Sequence, residues 1–271
     1  MRFGKTNRFT PSGEGRRRES TSSRNSEPSD GGAFRWHAWP AQSESVSPAA
    51  RGLLKGRAAG PFAADRLVVG GALGAVGGLV FEGLARAGVE SILGVDPDVY
   101  GVDSWLTQPC GPSDVTREKA VVQGELAHAA NPAVNVVTVQ GVVQDLPLWL
   151  LAKAELIVLA GDNLEILAWG AGMGAALGKF VLQGAVHGES GSAIVRGCDL
   201  TNPASACPAC AFSQRDWSAQ TSRHGCDPDD LRTQGQEPTR TMPVICATAA
   251  CLTLTEVLKR LAMMEGEAWG T

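Results

Sequence analysis

The chain has 271 residues, 44% hydrophobic and 19% charged, which is enough apolar material for one large α/β domain or two small ones. Its formal charge of −4 is unevenly spread: residues 1–60 hold 11 of the 24 Lys and Arg but only 5 of the 28 Asp and Glu, so a basic stretch precedes an acidic body. An acidic body argues against nucleic acid as partner, and the most apolar region, Leu146 to Ala160, is broken by Lys153 and Glu155 and so does not read as a membrane span.

Residues 1–60 are rich in Ser, Arg, Gly and Pro and carry no periodic apolar pattern, so the expectation is a disordered basic tail before a folded unit over 61–271. The seven cysteines, an odd number in a chain without a secretory signal pattern, read as thiols or metal ligands, and the expected compartment is the cytoplasm.

The stretch from Arg66 to Asp98 reads as strand, glycine turn, helix, strand. Leu67 to Val69 is a short buried-strand run, Val76 to Ala87 has apolar residues at helical spacing before a stop at Gly88, and Ile92 to Val95 is a second strand ending on Asp96. A strict G-x-G-x-x-G would need glycine at 72, 74 and 77; here Ala72 stands first, with Gly71 one place early, while Gly74 and Gly77 fit. Such a turn lets phosphate approach a helix N-terminus, and an acid about twenty residues on can accept hydrogen bonds from a ribose. The unit suits a nucleotide, although a glycine turn also serves where a helix merely packs tightly on a strand.

Val99 to Val115, with Pro109 and Pro112, should be a loop over the carboxyl ends of the strands, where open α/β sheets bind ligands. Thr116 can cap a helix from Arg117 to about Ala130, and Lys119 in its first turn opposes the helix dipole, which points to a phosphate as its partner. Val134 to Val139 reads as a strand, Leu148 to Leu151 as a helical turn and Leu156 to Leu159 as a buried strand. That last strand runs into Gly161-Asp162-Asn163 and a helix to about Leu177, with Gly178 as its C-terminal cap. Asp162 thus faces the same crevice as Asp96, or simply caps the helix.

Phe180 to Ala185 and Ala193 to Val195 have hairpin-like spacing and read as an antiparallel extension; His187 between them reads as a loop residue. Cys207-Pro208-Ala209-Cys210 has the spacing of half a zinc site. Residues 211–241 are polar and include His224 and Cys226; Pro243 opens a final helix apolar at Val244, Ala247, Cys251, Leu254, Leu258 and Leu261.

Seven short motifs occur in order: Leu84-Ala85-Arg86-Ala87-Gly88, Asp96-Pro97-Asp98, Gln108, Lys119-Ala120, Asn131-Pro132, Asp162-Asn163 and Cys207-Pro208-Ala209-Cys210. Together they resemble the ThiF/MoeB adenylating enzymes, relatives of the ubiquitin-activating enzymes, over about residues 65 to 263. The resemblance implies a Rossmann-like, mostly parallel sheet flanked by helices, often in a homodimer. It also implies binding of ATP and Mg2+, and transfer of AMP to the C-terminal carboxylate of a ubiquitin-like or sulfur-carrier protein. It assigns the phosphate turn to Gly71, Gly74 and Gly77, the ribose to Asp96 with Asp98 beside it, and neighbouring nucleotide contacts to Gln108 and Asn163. Lys119 would meet the triphosphate and Asp162 the magnesium. Cys207 and Cys210 would bind Zn2+, and Cys226 admits two roles, as a further ligand with His224 or as a nucleophile forming a thioester with the activated carrier.

Two departures stand out. Where the family's loop usually reads Asn-x-x-Arg-Gln, this chain has Ser104-Trp105-Leu106-Thr107-Gln108, so the phosphate-binding arginine is absent unless Arg117 or a partner chain replaces it. The family's second Cys-x-x-Cys is also missing. These departures keep open a catalytically weakened partner or scaffold subunit. A nicotinamide-dependent oxidoreductase fits the glycine turn alone but leaves Lys119, Asp162 and the cysteine pair unexplained.

Overall fold

The computed structural model describes residues 34–42, 67–161, 164–187, 190–202, 204–214 and 242–264. Short β-branched runs supply five parallel strands: β2 (Leu67–Gly71), β3 (Ser91–Asp96), β4 (Asn135–Gln140), β5 (Ala154–Leu159) and β6 (Phe180–His187). Two antiparallel strands close the edges, β1 (Arg35–Trp39) on β4 and β7 (Ser192–Asp199) on β6, in the order β1-β4-β3-β2-β5-β6-β7. The chain winds outward from β2 through β3 to β4, then returns to β5 on the other side of β2. The carboxyl ends of β2 and β5 therefore flank the switch point, where such sheets place their ligands.

Five described helices cover the two faces: α1 (Gly77–Arg86), α2 (Lys119–Ala130), α3 (Leu148–Lys153), α4 (Leu164–Leu177) and α5 (Pro243–Met264). On one face Val68, Ile92, Val136, Leu156 and Leu182 meet Phe81 and Leu84 of α1, Ala127 of α2 and Val257 and Leu261 of α5. On the other, Val69, Leu93, Val95, Ile157, Leu159 and Val181 meet Leu151 of α3 and Ile166 and Leu167 of α4. The two-residue period of each strand produces this division, since alternate side chains point to opposite faces. Gly88 and Gly178 follow α1 and α4 with φ of +79° and +60°, the left-handed conformation that ends a helix.

The sequence reading needs three corrections. The expected tail over 1–60 is not structureless throughout, because residues 35–39 are β1, paired from Arg35 with Gln140 to Trp39 with Val136. Its anchor is the contact of Trp39 with α2: a side chain on Gly124 would lie 2.1 Å from the indole, so that glycine leaves the room Trp39 fills. The rest of 1–60 lies outside the described residues.

The second correction concerns α2, which begins at Lys119 rather than Arg117, with Glu118 at the N-cap position and no side-chain cap. Thr116 has φ +72° and its N–H donates to the Tyr100 carbonyl, while the Tyr100 N–H donates to the Arg117 carbonyl. These bonds hold residues 116 and 117 in a turn against Tyr100 and delay the helix.

The third concerns α5, whose buried stripe is Cys246, Ala249, Ala250, Thr253, Val257 and Leu261, while Val244 is 75% exposed and Cys251 is exposed. Small residues win the interface because they let the helix approach the sheet: Thr253 occupies the space that a side chain on Gly184 would need. Leu254 and Leu258 flank that contact, partly buried.

Candidate nucleotide site

The glycine turn runs from the end of β2 into α1. Gly71 is the last residue of β2 and buried; a side chain there would press on Val143 and Leu159, so packing accounts for this glycine. Gly77 opens α1, and a Cβ on it would fall 1.8 Å from the Ala72 carbonyl oxygen, so only glycine lets the helix start this close to the turn. Gly74 is the open one, its nearest neighbour being Gln108 Oε1, 3.8 Å from where a Cβ would be. Ala72, standing where the fingerprint has glycine, takes φ +68°.

Asp96 ties this turn to the end of β3. It is 2% exposed, and its Oδ2 accepts the Leu73 N–H at 2.6 Å while Oδ1 accepts the Asp98 N–H at 2.9 Å. Burial raises its carboxyl above the usual range, and Lys119 acts in the opposite direction. A buried carboxylate is tolerable here because backbone donors and a nearby cation compensate it.

Lys119, 4% exposed, donates from Nζ to Asp98 Oδ2 at 3.0 Å, and its N–H donates to the Asp98 carbonyl at 2.9 Å. The structure thus brings Gly74, Asp96, Asp98, Gln108 and Lys119 to one end of the sheet. Gln108 sits just after a short turn at Ser104–Leu106, and its Oε1 is buried with no hydrogen-bond partner among the described residues. A buried acceptor without a partner among the described residues beside an open glycine, the N-terminal end of a helix, and a buried lysine fit the polar parts of a nucleotide. Asp162 and Asn163 lie outside the described residues.

Arg117 does not stand in freely for the missing loop arginine: it donates to both oxygens of Glu125 at 2.8 Å and to Asp114 at 2.8 Å. Sequence reasoning missed that Glu118, beside Lys119, is bonded by Arg35 and, at 3.1 Å, by His37, both from β1. The alternation in Arg35-Trp36-His37-Ala38-Trp39 was the available signal, hidden within a polar stretch.

Cys207 and Cys210 lie together with sulfurs 3.1 Å apart, but no cluster of three or more ligating side chains occurs among the described residues. Cys198, buried on β7, has its thiol pushed up first by burial and then by these two cysteines, so it is a sulfur in the same neighbourhood that spacing alone did not flag. His224 and Cys226 lie outside the described residues. His187, expected in the loop, is instead the last residue of β6, paired with Ser192 and exposed, its Nδ1 2.9 Å from Ser190 Oγ. No helix among the described residues is long and apolar enough to cross a membrane.

The fold is that of a Rossmann-like α/β protein, a seven-stranded, mostly parallel sheet flanked by helices. The chain belongs to the ThiF family, whose profile matches residues 62–269. Among solved structures it is similar to E. coli MccB with ATP, with a TM-score of 0.55 and 17% identity over 73% of this chain and 56% of that one. It is likewise similar to E. coli MccB with AMPCPP and MccA, with a TM-score of 0.54 and 16% identity over 73% of this chain and 56% of that one. MccB in complex with N-formylated MccA matches at a TM-score of 0.54 and 16% identity, over 73% of this chain and 58% of that one. The chain therefore spans little more than half the length of these solved chains. No curated protein matches the sequence closely enough to count as a relative.

Proposed function

We propose that this protein is an ATP-dependent adenylating enzyme that activates the C-terminal carboxylate of a peptide or of a small ubiquitin-like or sulfur-carrier protein. The observation that carries the reading is the buried Lys119 brought beside the Asp96-tied glycine turn at the switch point, in a chain of the ThiF family. The neighbours are MccB bound to ATP and to MccA, which favours a peptide or protein carboxylate as substrate.

In the reaction a carboxylate oxygen bonds to the α-phosphorus, the bond to the bridging oxygen breaks, and pyrophosphate leaves with the electron pair. Little covalent help is needed; charge must be neutralised and the reactants aligned. Lys119 supplies a positive charge in a site largely closed to water, the N–H groups at the start of α1 receive phosphate oxygens, and Gln108 offers an amide beside Gly74. Asp162 is the residue to hold Mg2+, which would neutralise the triphosphate. Asp96 serves ribose binding through the turn it ties to β3.

Zinc is a structural proposal for Cys207 and Cys210, supported by their spacing and proximity, with Cys226 and His224 the candidates to complete it; Cys226 remains the alternative nucleophile. A homodimer in the cytoplasm is the expected setting.

The second reading, a weakened partner subunit, is favoured by Thr107 in place of the arginine and by the engagement of Arg117 with Asp114 and Glu125. One experiment separates the two, carrier- or peptide-dependent exchange of labelled pyrophosphate into ATP. Activity should fall about 100- to 1,000-fold in Lys119→Ala and be lost in Asp162→Asn, with the fold intact in both. Exchange that survives both substitutions overturns the adenylation mechanism, and none in the unaltered protein supports the partner reading.

A further inference from the structure

One row of paired positions crosses the carboxyl ends of the strands on the second side of the switch point: Gly71 with Leu159, Leu159 with Gln183, Gln183 with Arg196. Gln183 shares the α3/α4 face with its neighbour-but-one Val181, and Arg196 stands opposite it on β7. Arg196 is thus two strand spacings, about 10 Å, from the end of β5, where the chain passes into Gly161-Asp162.

Five arginines lie among the described residues, and four have carboxylate partners: Arg35 with Glu118, Arg86 with Glu82, Arg117 with Asp114 and Glu125, and Arg260 with Asp199. Arg196 has none among the described residues. Its Nη1 donates to Gln183 Oε1 at 3.0 Å, and its guanidinium lies 5.0 Å from the centre of the Phe212 ring. Gln183 is only 4% exposed, so a buried neutral amide and an aromatic face hold this cation in place without cancelling its charge. A half-buried guanidinium keeps a planar fork of donors, the shape that receives a carboxylate on two hydrogen bonds.

The crevice already holds two described carboxyls, Asp96 and Asp98, and Lys119 is committed to Asp98 and, on the proposed function, to phosphate. A carboxylate substrate entering it therefore needs a separate cation outside the phosphate array. We propose that Arg196, seated on Gln183, is the subsite that receives the C-terminal carboxylate of the peptide or carrier before it meets the nucleotide. The purpose given to this subsite rests on the adenylation reading.

The test uses the full chain and N-acetylglycine, the smallest peptide-like C-terminal carboxylate, with N-acetylglycinamide as its neutral control and inorganic phosphate as the competing anion. N-acetylglycine should shift the Arg196 guanidinium N–H resonance saturably and the amide should not. Arg196→Gln, which keeps a polar contact to Gln183, should weaken the binding at least tenfold, with Arg196→Lys in between, while ATP still raises the melting temperature of both variants. An equal response to the amide, undiminished binding in Arg196→Gln, or tighter binding of phosphate than of N-acetylglycine overturns the subsite. The ATP arm keeps the two ideas apart. Carboxylate binding without any stabilisation by ATP supports the subsite and sinks adenylation, whereas ATP stabilisation without carboxylate binding does the reverse.

Discussion

At the scale of the residue, strain and charge are both concentrated at the ends of elements. Ala72 holds φ +68° in the turn between β2 and α1, a conformation that costs an L-residue roughly 1–2 kcal/mol. Glycine adopts it freely but loses more entropy on folding, so Ala72→Gly should be stabilising by about 0.5–1 kcal/mol; a melting temperature that falls would show that the Ala72 methyl is needed for packing. At the far end of the sheet, the Thr201 hydroxyl first, and Arg260 at 3.0 Å after it, hold the Asp199 carboxyl below its ordinary range against the opposing effect of burial. A depressed carboxyl contributes stability that is complete above about pH 4 and is lost as pH falls through the lower folded value. Asp199→Asn should therefore unfold more readily than the unaltered protein at pH 7, and the two denaturation curves should converge in strong acid; a gap that persists there would assign the loss to packing.

At the scale of the element, what the sequence revealed depended on how local the determining interactions are. The βαβ unit from β2 to β3 was legible because its glycines, its helical period and the acid ending β3 lie within thirty-odd residues. The hairpin of β6 and β7 was legible for the same reason. The stripe on α5 was misread because Val244, Leu254, Leu258 and Leu261 outweighed Ala249, Ala250 and Thr253, and the advantage of a small residue at 253 exists only opposite Gly184. β1 was missed because its partners are distant: Glu118 for Arg35 and His37, Gly124 for Trp39. It follows that truncation should be graded. Removing residues 1–33 should leave stability nearly unchanged, whereas removing 1–42 takes away Trp39 and the strand, at a cost of about 3 kcal/mol or more, or roughly 6–12 °C in the melting temperature. Equal melting temperatures for the two truncations would show that β1 adds nothing to the folded state.

At the scale of the whole molecule, the acidic body and the switch-point architecture were readable before any coordinates, because composition and the βαβ start constrain them directly. The coupling of Glu118 to β1, the commitment of Arg117 to two carboxylates and the seating of Arg196 on Gln183 and Phe212 were not, since each depends on which side chains the fold brings together. The edge strand has a consequence for synthesis too. Trp36 pairs with Val139, about a hundred residues later, so at roughly 5–20 residues per second the ribosome delivers the partner of β1 some 5–20 s after β1 itself. For that interval two tryptophans and a row of unpaired amides wait in solution, and β1 can dock only once β4 has taken its place beside β3. The first described strand is thus secured only after two later ones, β3 and β4, and until then the nascent chain carries a sticky edge that a chaperone, or a neighbouring chain on the same message, is placed to capture.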